Sequence, residues 1–170
     1  MVRNASQVGK LARNRGKEME REVANNLELE LGLSFSRNLQ QYHTPNLGDL
    51  VCSDKSFPFN MEIKRRQQGN YVPVGAWTQA VSAVLTEGNH LTYPCVIYRY
   101  DRLATRCVVP LSAIAESITG KKTITKTSML DTYKVEKTAD LSFDSFCHIC
   151  REIMAWRSHD VTSAHSRSLQ

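Results

Sequence analysis

Apolar residues recur every fourth position from Met19 through Val23 and Leu27 to Leu31, with Ala24 beside them. That period predicts an amphipathic helix over roughly Asn14 to Leu31, stopped by Gly32. A short strand, Leu33 to Asn38, is expected next. Gln40 to Leu47 reads as a loop, because it holds Pro45 and Asn46 and has no period. Gly48 to Ser53 and Phe57 to Arg65 read as two strands joined by the polar turn Ser53-Asp54-Lys55-Ser56. In the second, Phe57, Phe59, Met61 and Ile63 point one way while Asn60, Glu62 and Lys64 point the other.

The rest of the chain continues in the same alternation of element types. Val74 to Thr86 is expected to be a helix, and Pro94 to Tyr100 and Thr105 to Val109 strands, with Asp101-Arg102 opening their turn. Pro110 to Ile118 suits a helix with proline at its first position. Lys121 to Ser128 is polar and reads as a loop, Phe143 to Trp156 as an amphipathic helix, and Ser158 to Gln170 as a disordered tail. The order α-β-β-β-α-β-β-α-α predicts an α/β fold with a mixed central sheet flanked by helices and the site at one edge of the sheet. Without repeats or a linker, residues 1–157 form one expected domain, with a core over about 14–110 and a helical extension over 110–157.

Composition narrows the class. Hydrophobic residues at 41% and charged residues at 23% mark a globular rather than a disordered chain. Lys and Arg total 22 against 17 Asp and Glu, a net charge of +5 that favours polyanionic partners, nucleic acid first among them. A merely basic soluble protein would show the same balance. The scattered cysteines Cys52, Cys95, Cys107, Cys147 and Cys150 are odd in number, which argues against a disulfide framework and for a reducing cytoplasm. Met1 to Lys17 is polar and basic and predicts no signal peptide, and no stretch approaches the ~18 apolar residues of a membrane span.

The strand ending Met61-Glu62-Ile63-Lys64 carries the first candidate chemistry. Alternation puts Glu62 and Lys64 on one face, about 6–7 Å apart along the strand. If the strand beginning Gly48-Asp49-Leu50-Val51 pairs beside it, Asp49 comes close to Glu62, and two carboxylates and one ammonium converge. Two carboxylates can hold Mg²⁺, which prefers oxygen ligands. Such an ion polarises a phosphate and lowers the pKa of a bound water, and a nearby lysine can orient that water and stabilise developing charge. A Glu-Lys pair on a solvated strand face is the ordinary alternative for the tripeptide alone. Glu20 adds a second signal. On a helical wheel Leu27 and Leu31 lie within ~20° of it and Ala24 within ~40°, so it sits in the apolar stripe, whereas Glu18 and Glu22 fall on the solvated side. A metal or a basic group beside it would explain a buried carboxylate there, and a frayed first turn or a structural salt bridge is the ordinary alternative.

Taken together, Gly16-Lys17-Glu18-Met19-Glu20-Arg21-Glu22, Ser36-Arg37, Gly48-Asp49-Leu50-Val51 and Met61-Glu62-Ile63-Lys64 resemble the PD-(D/E)XK nucleases. Within that superfamily the pattern is most similar to Holliday-junction resolvases of the archaeal kind and related phage enzymes. Their G-x-x-x-E-R-E pattern is met by Gly16 and by Glu20-Arg21-Glu22, and the match spans roughly Arg15 to Tyr100. The resemblance implies a restriction-endonuclease-like fold and a DNA endonuclease dependent on Mg²⁺, with Mn²⁺ the alternative ion. It implies Glu20, Asp49, Glu62 and Lys64 as catalytic residues, with Asp49, Glu62 and Glu20 as metal ligands. Arg37 matches a basic residue placed near the scissile phosphate. The favoured substrate is branched DNA such as a four-way junction, acted on in recombination or replication. A two-fold junction needs two active sites and hence a homodimer. The implied location is the cytoplasm, that of the host if the chain is phage-encoded.

Some positions depart from the pattern. Gly48 stands where the superfamily name has proline, and the region after about Pro110 has no counterpart. Gln79 occupies the helix after the E-x-K strand, but Ala83 stands where RecB-like nucleases carry tyrosine, which argues against that module. Expected DNA contacts are Arg15, Lys17, Arg37, Arg65, Arg66 and Gln79, since phosphates are met mostly by Arg and Lys. A restriction-like or nicking nuclease of the same superfamily, and a DNA-binding protein with structural carboxylates, are the other readings. Trp77 suits either base stacking or the core, and its spacing from Val81 and Val84 favours the core. Cys147-His148-Ile149-Cys150 lacks the companion pair a structural zinc needs and reads as core. His43, in the loop before Asp49, is an ordinary loop histidine that could lie near the site.

Overall fold

A computed structural model of the chain describes residues 5–39, 48–73, 75–87, 91–122 and 132–167. Helix α1, Ala5–Leu31, ends where Gly32 turns left-handed at φ 67°, a conformation a Cβ would disfavour. It begins well before the expected Asn14. Leu11, Ala12 and Arg15 line a groove with Arg65, Arg66 and Gln67, and each helical glycine costs only roughly 1 kcal/mol. Gly9 and Gly16 are therefore no barrier to the helix.

Six strands form one sheet among the described residues, in the order β1 (Phe35–Arg37), β2 (Leu50–Cys52), β3 (Phe59–Arg66), β4 (Tyr93–Tyr100), β5 (Arg106–Pro110) and β6 (Thr138–Ser142). Only β3 and β4 run parallel, and the crossover between them carries α2, Ala76–Glu87. The other neighbours are antiparallel. The mixed sheet flanked by helices is thus the α/β architecture expected from the order of elements.

The aromatic chain Phe35–Phe57–Phe59–Phe146 ties the first strands to helix α4, Phe143–Arg167. Glu18 and Glu22 of α1 reach Arg65 of β3 and Arg99 of β4, so α1 and α4 share the face that carries Phe59 and Arg65. α2 packs on β3 and β4. Residues of both parities in β3 are buried from Phe59 to Ile63, so this strand is covered on both sides. That is why Asn60 and Glu62, which the alternation put opposite the apolar row, are buried as well.

Two expectations after Pro110 need correction. The extension is not purely helical: α3, Leu111–Thr119, is followed by β6 before α4. β6 reads Thr-Ala-Asp-Leu-Ser, an edge strand whose alternation rests on Ala139 and Leu141 alone, and its backbone pairs with β5. α4 does not stop at Trp156 but runs through Ser158 to Arg167, since neither Gly nor Pro interrupts it. Residues 168–170 of the expected tail, the loop Gln40 to Leu47 with His43, and most of the loop Lys121 to Ser128 lie outside the described residues.

Cys95, Cys107, Cys147 and Cys150 are free and buried, and burial pushes all four thiols up. The C-x-x-C pair is core. Trp77 is also core, and its indole N–H donates to the Tyr133 carbonyl at 2.7 Å. No helix among the described residues is long and apolar enough to cross a membrane.

Candidate active site

The antiparallel pairing of β2 with β3 begins at Leu50 opposite Met61, two residues later than the expected strand start at Gly48. Gly48 and Asp49 sit just ahead of it, yet their backbone is fixed from both sides. The Asp49 N–H donates to the Met61 carbonyl at 2.8 Å, and its carbonyl accepts from the Asn38 N–H at 2.9 Å. The Asn38 side-chain amide donates to the Gly48 carbonyl at 3.0 Å. Asn38 is buried at the end of β1 and is a positioning residue that periodicity did not reveal.

Held this way, the Asp49 carboxylate takes the place of a ladder carbonyl: its Oδ2 accepts the Ile63 N–H at 2.7 Å. Asp49 therefore lies across β3 at the residue after Glu62. Burial raises the Asp49 pKa, partly opposed by the Ile63 N–H and by the positive charge of Lys64.

Glu62 is 1% exposed. Lys64 Nζ pairs with its Oε1, as the two-residue spacing predicts, and Oε2 has no hydrogen-bond partner among the described residues. Burial first, and then the Asp49 charge, push the Glu62 pKa up to about 7, with Lys64 pulling the other way. Lys64 remains 26% exposed, so it stands between the buried carboxylate and solvent. Asp49 sits just ahead of β2 and Glu62 and Lys64 on β3, so the group lies inside the sheet and not at the edge where it had been expected.

Glu20 is 13% exposed on its side chain and bonds the Arg37 Nε. Arg37 is opposite Leu50 in the β1–β2 register, which sets this ion pair beside Asp49. The negative charge of Glu20 raises both the Asp49 and the Glu62 pKa. Among the described residues no three His, Cys, Asp or Glu side chains cluster closely enough to hold a metal ion. The structure thus brings Asp49, Glu62 and Lys64 together, and turns Glu20 toward Arg37.

The outer basic residues divide. Arg15 and Arg65 both bind Asp101, at 3.3 and 3.2 Å, and Arg65 also reaches Glu18 at 3.3 Å. With the exposed Arg66 and with Gln67 they line a groove of about 470 Å³. Lys17 is exposed on α1, and Gln79 is exposed on α2. Glu22, expected to be merely solvated, makes two bonds of 2.5 and 2.6 Å to Arg99, which lower its pKa. Asp101 and Arg99 escaped the sequence reading because their partners lie 36 to 86 residues away.

Gly48 has a steric reason to precede Asp49. A Cβ there would stand 2.4 Å from Asn60 Oδ1 and 3.1 Å from the Met61 carbonyl oxygen. Gly48→Ala is expected to destabilise the protein by about 1–3 kcal/mol through overpacking. In thermal melts that is a loss of several degrees, and an unchanged midpoint would show that Asn60 swings aside at no cost.

A family model described as "Phage putative PDDEXK endonuclease" matches residues 11–160 of the chain. No curated protein sequence matches it. Among solved structures it is similar to Hjc, a Holliday junction resolvase from the archaeal hyperthermophile Archaeoglobus fulgidus. The identity is 19% and the TM-score 0.42, over 56% of this chain and 76% of that one.

Proposed function

Because the chain belongs to the family of phage PDDEXK endonucleases, we infer that this nuclease is a divalent-metal-dependent hydrolase of DNA phosphodiester bonds centred on Asp49, Glu62 and Lys64. One observation carries the reading. Glu62 is 1% exposed, keeps one oxygen without a hydrogen-bond partner among the described residues, and lies next to a second buried carboxylate. Two buried carboxylates with one ammonium leave a negative charge that a hard cation would balance.

In this reading Asp49 and Glu62 hold Mg²⁺, with Mn²⁺ the alternative ion. When bound, the ion supplies polarisation of the scissile phosphate and a lowered pKa for the attacking water. Lys64, which is 26% exposed beside Glu62, would orient the attacking water and stabilise charge on the phosphoryl oxygens. Glu20 holds Arg37 beside the site until a substrate phosphate takes the guanidinium, which frees Glu20 as the third carboxylate. The Ile63 N–H keeps the Asp49 carboxylate aimed throughout, as a rigid strand can and a loop cannot. Arg15, Lys17, Arg65 and Arg66 follow the DNA backbone, and Gln79 contacts it from α2.

Branched DNA, a four-way junction above all, is the proposed substrate on the motif resemblance, with a homodimer supplying paired nicks from the cytoplasm of the cell it acts in. The test is cleavage of end-labelled four-way, flapped and linear duplex DNA in Mg²⁺ and in EDTA. Symmetric Mg²⁺-dependent nicks confined to the junction are the expected result. Cleavage of linear duplex alone would replace the resolvase by a restriction-like or nicking enzyme. Equal cleavage in EDTA would remove the metal from the mechanism.

A further inference from the structure

A second cavity, of about 600 Å³, opens where the turn before β3 and the approach to β4 meet α3 and α4. Its walls include Phe57 and Leu91, and none of the residues inferred above to act on DNA lines it. At its base lies a buried ionic group. Glu116 is 2% exposed, and its carboxylate accepts the Tyr93 hydroxyl at 2.5 Å and the Arg157 Nε at 2.9 Å. That carboxylate balances Arg157 and nothing more.

Two cationic donors are left over. Arg157 Nη2 and Lys122 Nζ are both buried with no hydrogen-bond partner among the described residues. Lys122 Nζ lies 4.6 Å above the centre of the Tyr93 ring, and a ring face offsets only part of the hydration an ammonium loses. Accordingly the Lys122 pKa falls to about 8, through burial first and the Arg157 charge second, with Glu116 opposing. Lys55 adds a third cation at the exposed rim. Three cations face one carboxylate, and buried donors of this kind ordinarily have acceptors.

We propose that this cavity binds a phosphate monoester carried on an apolar or aromatic body, the chemistry a nucleoside monophosphate presents. A dianionic phosphate matches the two excess charges and supplies acceptors for a guanidinium edge and an ammonium at once. Phe57 and Leu91, the latter half-exposed at the mouth, offer apolar surface to the attached ring. The volume falls within the range of small-ligand sites. The ligand is either a free nucleotide or the 5′-phosphorylated end of a DNA strand. This inference does not rest on the nuclease reading.

The test is calorimetric titration of the full chain in EDTA with deoxyadenosine 5′-monophosphate, deoxyadenosine, inorganic phosphate, and a short single strand with and without a 5′-phosphate. The nucleotide is expected to bind saturably, the nucleoside not at all, and inorganic phosphate more weakly than the nucleotide. Lys122→Met keeps the alkyl chain over Tyr93 and removes the charge. It should weaken nucleotide binding at least tenfold while leaving DNA cleavage unchanged. Lys55→Ala, at an exposed position where folding is safe, should weaken it several-fold. A 5′-phosphorylated strand that binds more tightly than the nucleotide identifies a DNA end as the ligand, and the reverse order identifies the free nucleotide. Absence of saturable binding by every phosphate compound, or equal nucleotide affinity in wild type and Lys122→Met, would overturn the proposal.

Discussion

An Asp49→Asn protein is expected to fold like the wild type and to lose DNA cleavage by a factor on the order of 10³. The two halves of that result come from the side chain's hydrogen bond and from its charge. The Asp49 side chain accepts the Ile63 N–H at 2.7 Å, and an asparagine carbonyl can accept the same bond. The backbone ties to Met61 and Asn38 are untouched by the substitution. What asparagine lacks is the negative charge, and with it most of the attraction for a divalent cation. A thousandfold loss corresponds to about 4 kcal/mol of transition-state stabilisation. Melting curves in EDTA should superimpose or show a slightly more stable variant, because burial disfavours the ionised Asp49. Lys64→Ala should match the loss in rate, by removing the group proposed to orient the attacking water. Wild-type cleavage by Asp49→Asn would exclude this carboxylate from catalysis and leave the paired strands as scaffold.

The second large effect runs in the opposite direction for stability. Glu62→Gln should make the metal-free protein more stable at pH 8 while removing cleavage. The folded-state pKa of Glu62 is raised from 4.5 to about 7. For a carboxylate raised on folding, the stabilisation is fully present below the unfolded pKa and is lost as pH climbs through the folded one. The metal-free wild type therefore weakens between about pH 4.5 and pH 7. The upper bound is about 3 kcal/mol at 1.36 kcal/mol per pKa unit. Loss of the Lys64 ion pair lowers the expected gain for glutamine to about 2 kcal/mol, since Lys64 can turn to solvent. Melts in EDTA from pH 5 to pH 8 should show the wild-type midpoint falling and the variant's falling less. Mg²⁺ should restore the wild type and not the variant. A flat wild-type profile would mean that Glu62 ionises without penalty and that the unpartnered oxygen has no energetic consequence.

Both predictions start from residues that a strand's two-residue period could identify. Glu62 and Lys64 share a face by alternation alone, and the ion pair between them is the direct result. Asp49 entered through its place at the start of the preceding strand. Its contact with β3 depends on a register that the sequence does not display: the carboxylate bonds Ile63, and the ladder starts only at Leu50. The helical wheel put Glu20 among apolar residues, and its side chain is indeed only 13% exposed. The cation beside it is Arg37, supplied by β1, which a wheel cannot show. The same limit explains Glu22. The helical period puts it off the apolar stripe of α1, yet it is only partly exposed, because Arg99 from β4 meets it.

What the sequence determined by itself is whatever one element settles within its own span. The period of α1, the alternation in β3, the stop at Gly32 and the turn at Asp101-Arg102, where Arg102 adopts φ 70°, all follow from local geometry. So does the shared face of Glu62 and Lys64, whereas the approach of Asp49 waits on the pairing of two strands. The tertiary structure alone decided what depends on distant partners. It made an edge strand of the polar Thr138–Ser142 by pairing it with β5, and it bound Arg15 and Arg65 to one aspartate. It also buried Glu116 with Arg157 and left Lys122 without an acceptor among the described residues. Backbone pairing and charge pairing are satisfied by whichever groups the packed chain brings within reach, and no local period encodes which groups those are.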